Sequence, residues 1–118
     1  MTSASNILIF KGDENALSQQ VINAGDLVVV YMYASWCPSC KKLSAQLPQI
    51  ANDYPNVLFL KTNVDEAKSL CSSFSITSIP HLKFFKINEN QKLQELCSVT
   101  GANIPAIREK LSEFANTL

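Results

Sequence analysis

Residues 27–33, LVVVYMY, place seven apolar or aromatic side chains in a row with no polar position left to face water. A strand solvated on one face alternates polar with apolar residues, whereas a strand without alternation is covered on both faces. Such a strand belongs in the middle of a sheet layered between helices. The flanking segments supply those layers. ILIF at 7–10 reads as an outer strand. A helix follows, with Asp13 as N-cap, Gly25 as stop, and Ala16, Leu17, Val21 and Ile22 at helical spacing. Helical spacing returns from Trp36 to Tyr54 through Leu43, Leu47, Ile50 and Ala51, and Pro48 within it predicts a kink. VLFLKTNV at 57–64 is a second β-rich run, and DEAKSLCSSF predicts a short helix opened by Asp65. HLKFFKI and KLQELCSV bracket the polar NENQ, which predicts an antiparallel hairpin with a solvated loop. Gly101 ends the last strand, and IPAIREKLSEFANTL at 104–118 predicts a closing amphipathic helix with Pro105 in its first turn. The expected class is therefore α/β in the order β-α-β-α-β-α-β-β-α, a central mixed sheet with helices on both faces.

A chain of 118 residues suffices for one domain with its own core, and no linker or repeat divides 1–118. Basic and acidic residues balance at 10 each, so no basic field gathers nucleic acid. The apolar run near the N-terminus is four residues long, and no basic residue precedes Lys11. That pattern predicts neither an export leader nor a membrane anchor. Without an export signal, the four cysteines argue against a secreted disulfide framework, and a cytoplasmic location is expected.

The chemistry concentrates in WCPSC at 36–40, directly after the central strand. A structural metal site needs four ligands, usually two close pairs; Cys71 and Cys97 form no second pair, and His81 is the sole histidine. Cysteines also serve as inert core residues, yet two at a strand-to-helix junction would be a poor place for packing alone. A redox role explains the location. At a helix start Cys37 faces unpaired N–H groups and the positive end of the dipole, which favour a thiolate. Cys40 follows one turn later, within bridging distance and more covered. One sulfur attacks and the other resolves, as two-electron exchange requires.

With WCPSCK after an apolar strand, KTNVDE, SIPHLKFF and GANIPAIREKL, the chain resembles a thioredoxin over essentially its full length. The resemblance implies the thioredoxin fold, with Cys37 as exposed nucleophile and Cys40 as resolving thiol. It implies that Trp36 shields the motif and that Pro80, in SIP, is a cis proline facing the sulfurs. An extended Ile79 backbone would pair with a substrate strand. Pro38 and Ser39, in place of the usual Gly-Pro, tune thiolate stability, and Gly101 completes the surrounding surface.

Other positions depart from the family pattern. Tyr31 stands where the family buries an Asp thought to help deprotonate the resolving thiol. A phenol with a pKa near 10 is a poor base at neutral pH, so either water assists Cys40 or substrate release is slow. Lys61, without that Asp, is expected to snorkel to solvent. The helix proline shifts from the position of Ala45 to Pro48. Cys71 and Cys97 read as core residues, and His81 as a hydrogen-bonded structural histidine. The resulting expectation is a monomeric protein dithiol–disulfide oxidoreductase that reduces disulfides in other proteins. It would need no bound cofactor, being reduced by an NADPH-dependent flavoprotein of the thioredoxin reductase type. The rival expectation is a thioredoxin-like binding or adaptor module with little turnover.

Overall fold

The computed structural model describes residues 5–115. Its strands are β1 (Ile7–Ile9), β2 (Val28–Tyr33), β3 (Leu58–Asn63), β4 (His81–Ile87) and β5 (Leu93–Thr100). Its helices are α1 (Glu14–Ala24), α2 (Pro38–Asp53), α3 (Lys68–Ser73) and α4 (Ile104–Phe114). The strands form one sheet in the order β1-β3-β2-β4-β5. β1, β3 and β2 run parallel, β4 is antiparallel to β2, and β5 is antiparallel to β4. The unbroken apolar run thus becomes the central strand of a mixed sheet, and the element order is the expected one.

Because side chains alternate along a strand, β2 feeds two separate cores. Val29 and Tyr31 pack with Leu43, Leu47 and Ile50 of α2 and Ile107 and Leu111 of α4. Val28, Val30 and Met32 pack with Leu17 and Val21 of α1 and Leu70 of α3. Burial on both faces removes the need for a polar position anywhere in that strand.

The helix ends follow local chemistry. Asp13 Oδ1 accepts the Ala16 N–H at 2.9 Å, and Gly25 closes α1 in the left-handed region at φ 70°. Asn103 Oδ1 caps α4 through the Ala106 N–H, with Pro105 in the first turn. The predicted extension of that helix to residue 118 includes 116–118, which lie outside the described residues. α2 continues across Pro48 to Asp53.

One helix begins later than expected. α3 starts at Lys68 with Ala67 as its uncapped first flank, and Asp65 lies in the preceding turn. Asn63 takes over the capping chemistry there. Its Oδ1 accepts the Asp65 N–H at 2.9 Å, and its carbonyl accepts from Glu66 and Ala67, each at 3.0 Å. The Asp65 carboxylate is thereby left for another partner. In the hairpin, Asn88 Oδ1 accepts from the N–H groups of Asn90 and Lys92, which closes an exposed NENQ turn. A register shift sets Phe84 opposite Cys97 but Phe85 opposite Glu95, so β5 carries Leu96 as an extra residue.

Candidate active site

The parallel strands β2 and β3 end side by side, with Tyr33 paired to Asn63. The residues that follow both strands therefore meet at one end of the sheet, where open α/β sheets gather their chemistry. After β2 the chain passes through Ala34, Ser35 and Trp36 to Cys37, the N-cap of α2, and Pro38 opens the helix. A proline costs nothing there, because its missing N–H would have had no partner.

Cys37 caps its own helix with sulfur: Sγ accepts the Cys40 N–H at 3.2 Å. Both cysteines are free thiols and both are buried, Cys37 at 5% exposure and Cys40 at 1%. The exposed nucleophile implied by the resemblance is thus corrected to a buried thiol. The cause is the packing of Ala34, Tyr33, Val64 and Ile79 around the two sulfurs. Burial, then the hydrogen bond with Cys37, pushes the Cys40 thiol up to about 11. The two sulfurs therefore occupy different environments, with the deeper one held protonated.

The remaining predicted positions fall around this pair. The Ile79–Pro80 bond is cis, Pro80 is buried, and its carbonyl accepts the Gly101 N–H at 2.8 Å. Ile79 packs against the sulfur cluster, so the SIP loop and Gly101 are tied together beside it. Trp36 is 65% exposed, with its indole Nε1 donating to Asp65 Oδ2 at 2.9 Å. Ser39 is exposed in the first turn of α2. Trp36, Val64, Cys71, Ile76, Thr77, Ser78 and Ile79 line a shallow groove of about 180 Å³.

Tyr31 is fully buried, its hydroxyl 2.8 Å from the Cys40 carbonyl oxygen and 2.9 Å from Ser44 Oγ. Burial pushes this phenol up to about 12. Lys61 does not simply run to solvent: its Nζ sits 4.8 Å above the Tyr33 ring. His81 departs from expectation, because neither ring nitrogen has a hydrogen-bond partner although both are buried. Burial and then the Lys83 charge push its imidazole below the usual range, which favours the neutral ring. Cys71 packs in the α1/α3 core and Cys97 in the α2/α4 core, half-buried on opposite sides of the sheet. Burial raises both thiols.

The sequence placed Asp65 at a helix start rather than at the site, and Ser44 was not singled out. The signal for Asp65 was its place just beyond β3, the parallel neighbour of the motif strand. Ser44 was signalled by its spacing, four residues after Cys40 on one helical face.

A Cys-x-x-Cys dithiol at a strand-to-helix junction, with both thiols buried and one sulfur capping the helix, defines the class of thiol–disulfide oxidoreductases. The thioredoxin family model matches residues 9–113, and the chain belongs to the thioredoxin family. It is 37% identical over 102 residues to thioredoxin of Ictalurus punctatus, covering 84% of this chain and 91% of that protein. The solved structure of Trichomonas vaginalis thioredoxin superposes with a TM-score of 0.85 at 31% identity, covering 92% of this chain and 96% of that one. Thioredoxin-like 1-2, chloroplastic, of Arabidopsis thaliana is 34% identical over 90 residues, covering 75% of this chain, but the match spans only 37% of that longer protein.

Proposed function

We propose that the chain reduces disulfides in other proteins, with Cys37 as nucleophile and Cys40 as resolving thiol. The Cys37 thiolate attacks a substrate disulfide and forms a mixed disulfide. Cys40 then displaces the reduced substrate, leaving Cys37 and Cys40 joined. The observation that carries this reading is the Cys40 N–H donated to Cys37 Sγ at 3.2 Å, which meets negative charge on the attacking sulfur. The groove between Trp36 and Ile79 offers an apolar seat for the substrate segment, and this reading has that segment pair with the Ile79 backbone as an added strand. In this reading the redox group is the cysteine pair itself, and an NADPH-dependent flavoprotein of the thioredoxin reductase type restores the dithiol. The chain acts as a monomer in the cytoplasm.

Insulin reduction tests the assignment. Cys37→Ser abolishes it, whereas Cys40→Ser accumulates mixed disulfides visible on a non-reducing gel. Either variant matching the unsubstituted chain would overturn the proposal. An adaptor role draws support from one observation, the burial of Cys40 at 1% exposure, which holds its thiol protonated and would slow release. Intact substrate capture with negligible turnover under a reductase would favour it.

A further inference from the structure

The first turn of α2 is held from the core side by a neutral hydroxyl pair. The Tyr31 phenol has one proton, and the Cys40 carbonyl can only accept, so Tyr31 donates to Cys40 at 2.8 Å. Ser44 then donates to the Tyr31 oxygen across 2.9 Å. A serine within a helix ordinarily turns its hydroxyl back to the carbonyl four residues earlier, here that of Cys40. Tyr31 instead stands between them, and it ties the resolving residue to the central strand. The titratable groups facing this turn are Cys37 at the helix cap and Tyr31 and Tyr33 from β2. Lys61 of β3 sits on the Tyr33 ring, and His81 of β4 pairs in register with Met32, whose side chain feeds the opposite core. None of these is a carboxylate, and the Asp65 carboxylate beside the motif is engaged by the Trp36 indole at 2.9 Å.

We propose that Tyr31 is a positioning residue for the resolving thiol, and that the release step draws its base from solvent rather than from a side chain. This rests on the exchange reading above. In that step the Cys40 thiol gives its proton to water or hydroxide, and its sulfur bonds to Cys37 Sγ. The bond between Cys37 and the substrate sulfur breaks. Its electron pair leaves on the substrate sulfur, which solvent protonates. Burial, the largest cause that holds Cys40 protonated, persists while Cys37 is engaged.

The test mixes the reduced chain with dithiobis-nitrobenzoate, in a Cys71→Ala/Cys97→Ala background so that only the motif reacts. Nitrothiolate released first reports attack by Cys37; the second, intramolecular release reports displacement by Cys40. The second rate is expected to rise about tenfold per pH unit from about pH 6 to about pH 8.5, because the thiolate fraction grows in that proportion. Tyr31→Phe keeps the ring and lets Ser44 return to the Cys40 carbonyl, so the helix stays capped by its own bonds. It is expected to slow the second release about fivefold at each pH and leave the first unchanged. A plateau below about pH 8 would show that Cys40 is already ionised there or that a side chain takes its proton, and either overturns the proposal without need of a variant. So would a second rate indifferent to Tyr31→Phe. A first release with no second would remove the exchange reading, and this inference with it.

Discussion

Trp36 is the only tryptophan in the chain, so its fluorescence reports on the site without interference. An indole that is 65% exposed has little packing to fix it, and its described anchor is the 2.9 Å bond to Asp65. The carboxylate end is already ordered, because Asn63 holds the Asp65 N–H and the two that follow. Only the indole must lose freedom to make the bond. A charge-assisted bond is worth about 1.5–3 kcal/mol when protected from water. Both partners here are exposed, so screening reduces that to about 1 kcal/mol. Such an energy favours the docked ring by about fivefold, and its loss drops occupancy from about 80% to about half. Time-resolved anisotropy reads this directly. Asp65→Ala is expected to add a fast, wide-amplitude component to the Trp36 decay, and Asp65→Asn, which keeps a neutral acceptor, an intermediate one. The same series is expected to raise KM for insulin more than it changes kcat, since the ring borders the groove rather than the sulfur. Identical decays for all three proteins would refute the anchoring argument.

Two glycines separate stability from function. An added Cβ meets nothing within 4 Å at Gly25 (φ 70°) or at Gly101 (φ 90°), so alanine is strained by the backbone alone. Each substitution is expected to cost about 1–2 kcal/mol in urea unfolding, but only Gly101→Ala should also lower insulin reduction. The Gly101 N–H holds the Pro80 carbonyl, whereas Gly25 sits at the far end of α1. Equal activity of the two variants would deny Gly101 its link to the site. Alkaline pH supplies another check, on the reduced chain. Folding raises Cys40 from 9.0 to about 11 and Tyr31 from 10.0 to about 12, so the unfolded chain sheds these protons first. Stability is therefore full below about pH 9 and is lost as pH climbs toward about 12. Urea midpoints should fall across that window, less steeply above about pH 10 for Tyr31→Phe, and a flat profile would reject the burial argument.

What the sequence disclosed and what it withheld divide along physical lines. The LVVVYMY run announced a central strand because burial on two faces leaves a one-dimensional signature. Asp13, Gly25 and Pro105 announced helix ends because capping is local. The dithiol could be placed because its strand and helix signals abut. Asp65 misled, since an acid after a strand can cap a helix or serve a neighbour, and only register between β2 and β3 decides. His81 misled for a similar reason: the presence of a partner depends on what the opposite layer presents. The extra Leu96 of the β5 bulge falls where the alternation of LQELCSV breaks, between the polar pair Gln94-Glu95 and Cys97, a break that the sequence alone could not tell from a change of face.

The asymmetry between the two sulfurs was expected at the helix start, from Cys37. The structure anchors it at Cys40 and also couples the two residues. In the proposed exchange, the backbone N–H that would meet charge on the attacking Cys37 belongs to Cys40, through the 3.2 Å bond to Cys37 Sγ. After burial, the influences that hold Cys40 protonated include the hydrogen bond to Cys37 and the Cys37 charge. Both weaken once Cys37 is tied into a mixed disulfide, because a disulfide sulfur carries no net charge and accepts poorly. In the proposed exchange, attack by Cys37 would thus make Cys40 more acidic at the moment it must act. Burial sets how far that relief goes, and with Tyr31 rather than a carboxylate against the turn, solvent must complete the deprotonation.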